Sequence, residues 1–313
     1  MTDRIICIAG PTASGKTALA VEVAKLTAGE VVNCDSMQIY KYMNIGTAKP
    51  SSEEKQGIVH HMIDVAEPDE DFSVSRYCEM ATPIVEDILA RGKTAVVAGG
   101  TGLYMDSLIR GNAFAPFPST GMREKLEAQA DRVGMEFMLD QLRIVDPDAA
   151  AKLHLSDRKR IIRALEVYYE TGRTITEHDA ETKKQPPRYD ALYIGLDFEN
   201  RDDLRARIDT RVEQMVELGL LEEVEALLAS DADRRATAWQ AISYKQFLAV
   251  ADGKATVAEA IEEVKLRSRQ YAKRQLTWLR RNENIFWVRW EKEPNFPAGL
   301  QKATEYLLQN GLG

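Results

Sequence analysis

Near the start of the chain, Gly10-Pro11-Thr12-Ala13-Ser14-Gly15-Lys16-Thr17 follows the pattern GxxxxGK[ST]. Glycines at that spacing let successive backbone N–H groups converge on a phosphate, and a helix starting behind them adds its positive end. Lys16 supplies a point charge, and the Thr17 hydroxyl is of the type that ligates Mg²⁺ beside phosphate oxygens. The pattern means something only between a strand and a helix. Ile5-Ile6-Cys7-Ile8-Ala9 reads as the buried strand, and Lys16 to Leu26 has helical periodicity. The implied ligand is a di- or triphosphate, not ATP in particular.

Two further elements bear on the same edge. Glu30 to Cys34 reads as a strand ending in Asp35, which puts a carboxylate where α/β proteins bind ligands. Asp35 there can hold Mg²⁺, take a proton from a nucleophile, or only cap a strand–loop junction. Thr94 to Ala98 is a third strand, followed by Gly99-Gly100-Thr101-Gly102-Leu103-Tyr104. These glycines and the Thr101 hydroxyl either face the phosphate or form a bend needed for packing. The third strand lacks the acidic ending of a motor or switch NTPase.

Basic residues cluster in two places. Val264 to Arg281 holds Lys265, Arg267, Arg269, Lys273, Arg274, Arg280 and Arg281, interleaved with Tyr271 and Trp278 and free of acidic residues. Such a helix either binds phosphates and stacks on bases or covers a core with solvated heads. Asp157-Arg158-Lys159-Arg160-Ile161-Ile162-Arg163 opens another helix. Arg207 and Arg211, one turn apart, are candidates for diphosphate, for RNA or for plain surface.

These residues need a scaffold. Strands alternating with helices up to Ala98, with a helix over Ser75 to Arg91, predict an α/β fold: a P-loop NTPase-like parallel sheet flanked by helices. From Met122 to Gly172 only helices are legible, and Lys183-Lys184-Gln185-Pro186-Pro187-Arg188 reads as a connector. Tyr193 to Leu196 is strand-like, and helices follow over Asp203 to Leu218, Leu221 to Ala229 and Val257 to Arg280. The expected organisation is residues 1–113 as the first part of the core, 114–190 as an all-helical insertion domain, and 191–313 as the return to the core.

The 313 residues carry a net charge of −8, which excludes a uniformly basic nucleic-acid coat. Cys7, Cys34 and Cys78 are scattered, so neither a disulfide framework nor a zinc knuckle is expected. No apolar run approaches the ~20 residues of a membrane span, and a cytoplasmic monomer is the default expectation. His60-His61 is a poor metal site because adjacent side chains on a strand diverge.

Four stretches together resemble a known family: the P-loop; Asp35-Ser36-Met37-Gln38-Ile39-Tyr40 with Asn44-Ile45-Gly46-Thr47-Ala48-Lys49-Pro50; Gly99 to Tyr104; and Arg269-Gln270-Tyr271-Ala272-Lys273-Arg274-Gln275-Leu276-Thr277-Trp278. The chain resembles the bacterial tRNA dimethylallyltransferases, also called tRNA isopentenyltransferases. The resemblance implies transfer of a dimethylallyl group from dimethylallyl diphosphate to N6 of adenosine 37 of tRNA. It implies that the P-loop, Gly10 to Thr17, holds the donor's diphosphate, where the Thr17 hydroxyl would meet Mg²⁺ and where Arg207 and Arg211 are among the candidates to assist. By the same resemblance, Asp35 is the general base, Thr101 assists the leaving group, and Ser36, Met37 and Gln38 surround the target base. Contacts to the anticodon stem-loop are implied for Arg123, for Lys159, Arg160, Ile161, Ile162 and Arg163, for Gln240, Tyr244 and Lys245, and for Lys273 and Arg274. One departure stands out: the family usually has Gly where Ser243 stands, and serine fits only if that backbone does not require a positive φ. Two other readings stay open: a P-loop small-molecule kinase, and an enzyme that prenylates free adenine nucleotide. A non-catalytic RNA-binding protein with a relic loop is disfavoured by intact Lys16, Thr17 and Asp35.

Overall fold

A computed structural model describes residues 3–111, 120–230, 233–234 and 236–312; of Lys183 only the backbone is described. By its internal packing the chain divides into two compact units, Met1–Gly111 with Arg188–Gly313, and Asn112–Pro187. Residues 112–119, which include the expected boundary at 113/114, lie outside the described residues.

The first unit is built on a six-stranded, wholly parallel sheet in the order β3-β2-β4-β1-β5-β6. The strands are β1 (Arg4–Ala9), β2 (Glu30–Cys34), β3 (His60–His61), β4 (Ala95–Gly99), β5 (Asp190–Phe198) and β6 (Ile285–Trp290). Every residue of β2 and β4 is buried, as a parallel sheet covered on both faces requires. Helices Lys16–Leu26, Val74–Ala90, Arg201–Glu217 and Val257–Leu279 fall within a residue or two of the expected segments. Because all strands run one way, the loops after β1, β2 and β4 open on one edge. That edge carries the P-loop, Asp35 and Thr101.

Three parts of this unit are not visible in the sequence pattern. β3 is only two residues long and pairs with Val31 and Val32 of β2. His61 there meets the buried Glu30 carboxylate at 2.7 Å, and His60 Nδ1 lies 2.9 Å from the Ile58 carbonyl. β6, an edge strand without clean alternation, is followed by the helix Phe296–Gln309, which the Asn295 side chain caps at Ala298 N (3.1 Å). Arg188, placed by the sequence with the insertion, belongs to the core. The amides of Arg188 and Tyr189 both donate to the Ile109 carbonyl, at 2.9 and 3.3 Å, so the chain leaves and re-enters the core at one point.

Among its described residues the second unit is helical wherever it is regular: Met122–Val133, Met135–Val145, Pro147–Ala150, Arg158–Thr171 and Ile175–Lys184. Its own core gathers Leu126, Met138, Leu142, Ile161, Ile162 and Leu165. The break at Asp146-Pro147 is a cap. The buried Asp146 carboxylate accepts from Ala149 N (3.1 Å) and from the Thr176 hydroxyl (2.7 Å). Among the described residues no helix is long and apolar enough to cross a membrane.

Candidate active site

The P-loop turns through left-handed backbone at Ala13 (φ 63°) and Gly15 (φ 86°) before the helix Lys16–Leu26 begins. Not all its amides face outward. Thr12 N donates to Gln275 Oε1 at 2.9 Å and Ser14 N to the Pro11 carbonyl at 3.3 Å. Two of the loop's amides are thus engaged within the protein. The donors left for an anion include those of the first helical turn, which have no intrahelical acceptor. Lys16 Nζ donates back to the Pro11 carbonyl at 2.7 Å. Burial, helped by the neighbouring Arg211, pushes the Lys16 ammonium down to about 7 against the opposing pull of Asp35. Arg207 Nε donates to the Ala13 carbonyl (3.2 Å) and Arg211 Nη1 to the Thr12 hydroxyl (3.3 Å). Of the sites left open for these arginines, the structure places both at the phosphate loop. From β6, Trp290 Nε1 donates to the Ser14 carbonyl at 2.9 Å.

Asp35 leaves β2 beside this loop. Its Oδ1 accepts from Met37 N (2.9 Å) and Gln38 N (3.4 Å), a local cap. Capping occupies only that oxygen: Oδ2 takes no hydrogen bond from the described residues. Asp35, Lys16, Thr17, Gln38 and Gly99 line one cavity. Thr101 Oγ1 accepts from Ser36 N (3.0 Å) and lies 3.3 Å from Ser36 Oγ. The nearby Tyr271 hydroxyl has its pKa raised first by burial and then by Asp35. The glycines around Thr101 answer to close packing. A Cβ on Gly100 would lie 2.0 Å from Gln275 Nε2, and one on Gly102 would lie 2.2 Å from the Trp278 ring. Cys34, with its thiol buried 3.7 Å from the Thr101 carbonyl, is a packing residue.

The next loop is held from below. Gln38 Nε2 donates to the carbonyls of Thr47 (3.2 Å) and Ala48 (3.0 Å). Glu223, which the sequence reading missed, accepts from the amides of Asn44 (2.9 Å), Ile45 (2.9 Å) and Gly46 (3.2 Å). Tyr244 donates its hydroxyl to the same carboxylate at 2.5 Å and is fully buried. The structure therefore corrects the expectation of a direct RNA contact by its side chain: Tyr244 is a strut under this loop. Gln240 and Lys245, by contrast, are exposed. Ser243 sits at φ 86°, so the condition on which serine was to fit is not met.

The expected RNA-facing residues divide in the same way. In the second unit, Arg123, Lys159 and Arg160 are exposed, and Arg163 is half-buried. Arg123 and Arg163 converge on Glu166 at 2.9 and 2.7 Å. Ile161 and Ile162 are core residues, so their side chains are not available to RNA, contrary to the expectation. On the helix Val257–Leu279 much of the expected charge is already spent. Lys265 pairs with Glu213, Arg267 with Glu263 and Arg269 with Asp209; just beyond the helix, Arg280 pairs with Asp197. Lys273 and Arg274 are exposed without an ion pair among the described residues. Trp278 packs its ring against Gly102 and donates its Nε1 to Asp106 at 2.8 Å.

Residues 38–282 match the family model described as IPP transferase. The chain belongs to the IPP transferase family. It is 44% identical over 311 residues to the tRNA dimethylallyltransferase of Acetivibrio thermocellus, covering 99% of each chain. It is 44% identical to that of Caldanaerobacter subterraneus subsp. tengcongensis, covering 98% of each. Among solved structures, the tRNA isopentenylpyrophosphate transferase of Bacillus halodurans is similar with a TM-score of 0.71 and 38% identity, over 98% of this chain and 99% of that one. A eukaryotic dimethylallyltransferase acting on tRNA is similar with a TM-score of 0.85 and 30% identity, over 98% and 80%. This IPP transferase family member is thus a prenyltransferase. Its P-loop and Asp35 lie ahead of the matched range, so their role rests on the geometry above. Gln275 and Tyr271 lie inside it; the one available signal for Gln275 was a polar residue on the apolar stripe of Ala272, Leu276 and Leu279.

Proposed function

We propose that the chain transfers a dimethylallyl group from dimethylallyl diphosphate to N6 of adenosine 37 of tRNA, releasing diphosphate. One observation carries this reading: a carboxylate with a free oxygen, Asp35, shares a cavity with the phosphate-loop residues Lys16 and Thr17. An exocyclic adenine amine is a weak nucleophile because its lone pair is delocalised. As the N6–C1 bond forms and the C1–O bond to diphosphate breaks, the N6 proton passes to Asp35; such base catalysis is worth ~10²–10⁴-fold. Lys16, Arg207, Arg211 and the helix amides stabilise the departing oxygens. Single-stranded tRNA loops let the base leave its stack cheaply. Exposed Lys159, Arg160, Lys245, Lys273 and Arg274 are the proposed RNA contacts, and a cytoplasmic location follows from the substrate.

Thr17 lines the same cavity as Lys16 and Asp35, and its hydroxyl is the kind of oxygen ligand that suits Mg²⁺ carried mainly by substrate oxygens. When bound, the ion supplies neutralising charge to the leaving diphosphate.

The test incubates the enzyme and Mg²⁺ with labelled dimethylallyl diphosphate and unmodified tRNA, AMP, or neither. Label entering tRNA alone, at the adenosine beside the anticodon, is the expected result. Label in AMP would move the reading to free-nucleotide prenylation, and ATP-dependent phosphorylation of a small acceptor would favour the kinase. Asp35→Ala is expected to lower kcat ~10²-fold or more with diphosphate affinity near normal; an unchanged kcat would remove the general-base role.

A further inference from the structure

We propose that Gln275 is a positioning residue that sets the spacing between the phosphate loop and the Thr101 loop, and so commits the allylic centre to the amine rather than to water. This rests on the prenyl-transfer reading above.

The β1–β4 ladder ends at Ala9↔Gly99. Past that pair the sheet no longer holds the two loops in register, yet the reaction takes place between them. Gln275 takes over beyond the ladder, at Gly100 one residue past Gly99 and at Thr12 three residues past Ala9. Its Oε1 accepts from Thr12 N at 2.9 Å, and its Nε2 donates to the Gly100 carbonyl at 3.0 Å. A primary amide offers one acceptor and one donor face, and here each is spent on a different loop. Among the described residues no other side chain hydrogen-bonds both. Gln275 is 6% exposed, so the tie is shielded from competing water, and Gly100 is the residue that lets Nε2 approach. Trp278 shares its helical face, packs against Gly102 and bonds Asp106 in the helix Gly102–Arg110 that follows the Thr101 loop. The helix therefore has a second hold on that side but reaches the phosphate loop through Gln275.

The chemistry makes spacing matter. As the C1–O bond to diphosphate stretches, the allylic carbon becomes cationic and is captured by whichever nucleophile stands in line. Capture by N6 forms the N–C1 bond and gives the proton to Asp35. Capture by solvent water forms the allylic alcohol and gives the proton to solvent. Diphosphate departs in both. A looser tie misplaces the amine relative to C1 without removing a phosphate ligand.

Two variants test this in the full-length enzyme. Q275M keeps the length and removes both hydrogen bonds. Q275E keeps the acceptor for Thr12 N but sets an oxygen against the Gly100 carbonyl. For each, prenyl-tRNA and allylic alcohol are measured per diphosphate released, alongside affinity for inorganic diphosphate and amide exchange in peptides covering residues 10–16 and 99–104. In Q275M, transfer is expected to fall on the order of 10- to 100-fold. The alcohol share should rise at least about threefold, diphosphate affinity should stay within about threefold, and both peptides should exchange faster together. In Q275E the alcohol share should also rise, so the test survives if Q275M does not fold. A slower enzyme with the wild-type alcohol share in both variants would mean a merely structural role and would overturn the proposal. If the wild type prenylates no acceptor, it is the functional reading that falls. Paired exchange in the two peptides then still decides whether Gln275 ties the loops, and unpaired exchange would sink that idea too.

Discussion

Lys16 shows how a single group couples binding to pH. With its ammonium pushed down to about 7 by burial and by Arg211, it is largely neutral in the free enzyme at mildly alkaline pH. A bound diphosphate favours the charged form, so binding between about pH 7 and the ordinary lysine range takes up a proton. Calorimetry at pH 8 in buffers of different ionisation enthalpy should show uptake of nearly one proton on diphosphate binding, and Lys16→Met should abolish it. The sign for stability follows. The unfolded chain keeps the proton that the folded enzyme releases, so the free enzyme gains stability as pH rises from about 7 towards the lysine range. Lys16, Asp35 and Thr101 were legible because each follows a strand within a recognisable local pattern. Gln275 was not legible as a tie: its two partners lie 263 and 175 residues away, and one sequence holds no record of which distant residues meet.

At the scale of elements, patterning located most helices and the interior strands, because residues 5–9 of β1 and the whole of β4 are buried and demand unbroken apolar runs. It missed β3 and β6, whose pairing is decided by neighbours rather than by their own composition. It also could not see that the turn before the helix Tyr244–Ala251 is strained. Ser243, at φ 86° and ψ −60°, occupies a γ-turn-like conformation that costs an L-residue roughly 1–3 kcal/mol. Glycine relieves that strain and gives back about 0.5–1 kcal/mol in chain entropy. Ser243→Gly is therefore expected to stabilise the enzyme by about 1 kcal/mol and to raise its thermal midpoint by about 2 °C. An unchanged or lower midpoint would show that burial of this serine compensates its backbone.

The whole molecule is acidic, and ion pairs within the chain consume much of the positive charge that a linear reading assigns to RNA. What remains for a polyanion is local. In the helix Arg158–Thr171, Lys159 is exposed, and Arg160 is held only by a surface pair with Asp157 at 3.2 Å, of the kind worth little. Changing both to Gln should weaken tRNA binding roughly tenfold and flatten the slope of log K against log salt by about 1.5, leaving diphosphate affinity intact. A change in diphosphate affinity alone would remove this helix from the RNA-binding surface. The sheet order has a consequence of a different kind, for how the chain is made. β1 pairs with β4 on one side, and on the other with β5, whose first residue is Asp190. On the ribosome, the central strand thus waits with one apolar edge open until the whole Asn112–Pro187 unit has been synthesised. An open edge is a template for pairing with other chains. The unit that causes the delay is helical in its regular described parts, an architecture whose contacts are mainly local, and the core segments that flank it meet at Ile109. The hazard is one of timing: the pace of translation through the insertion sets how long the half-built sheet is exposed.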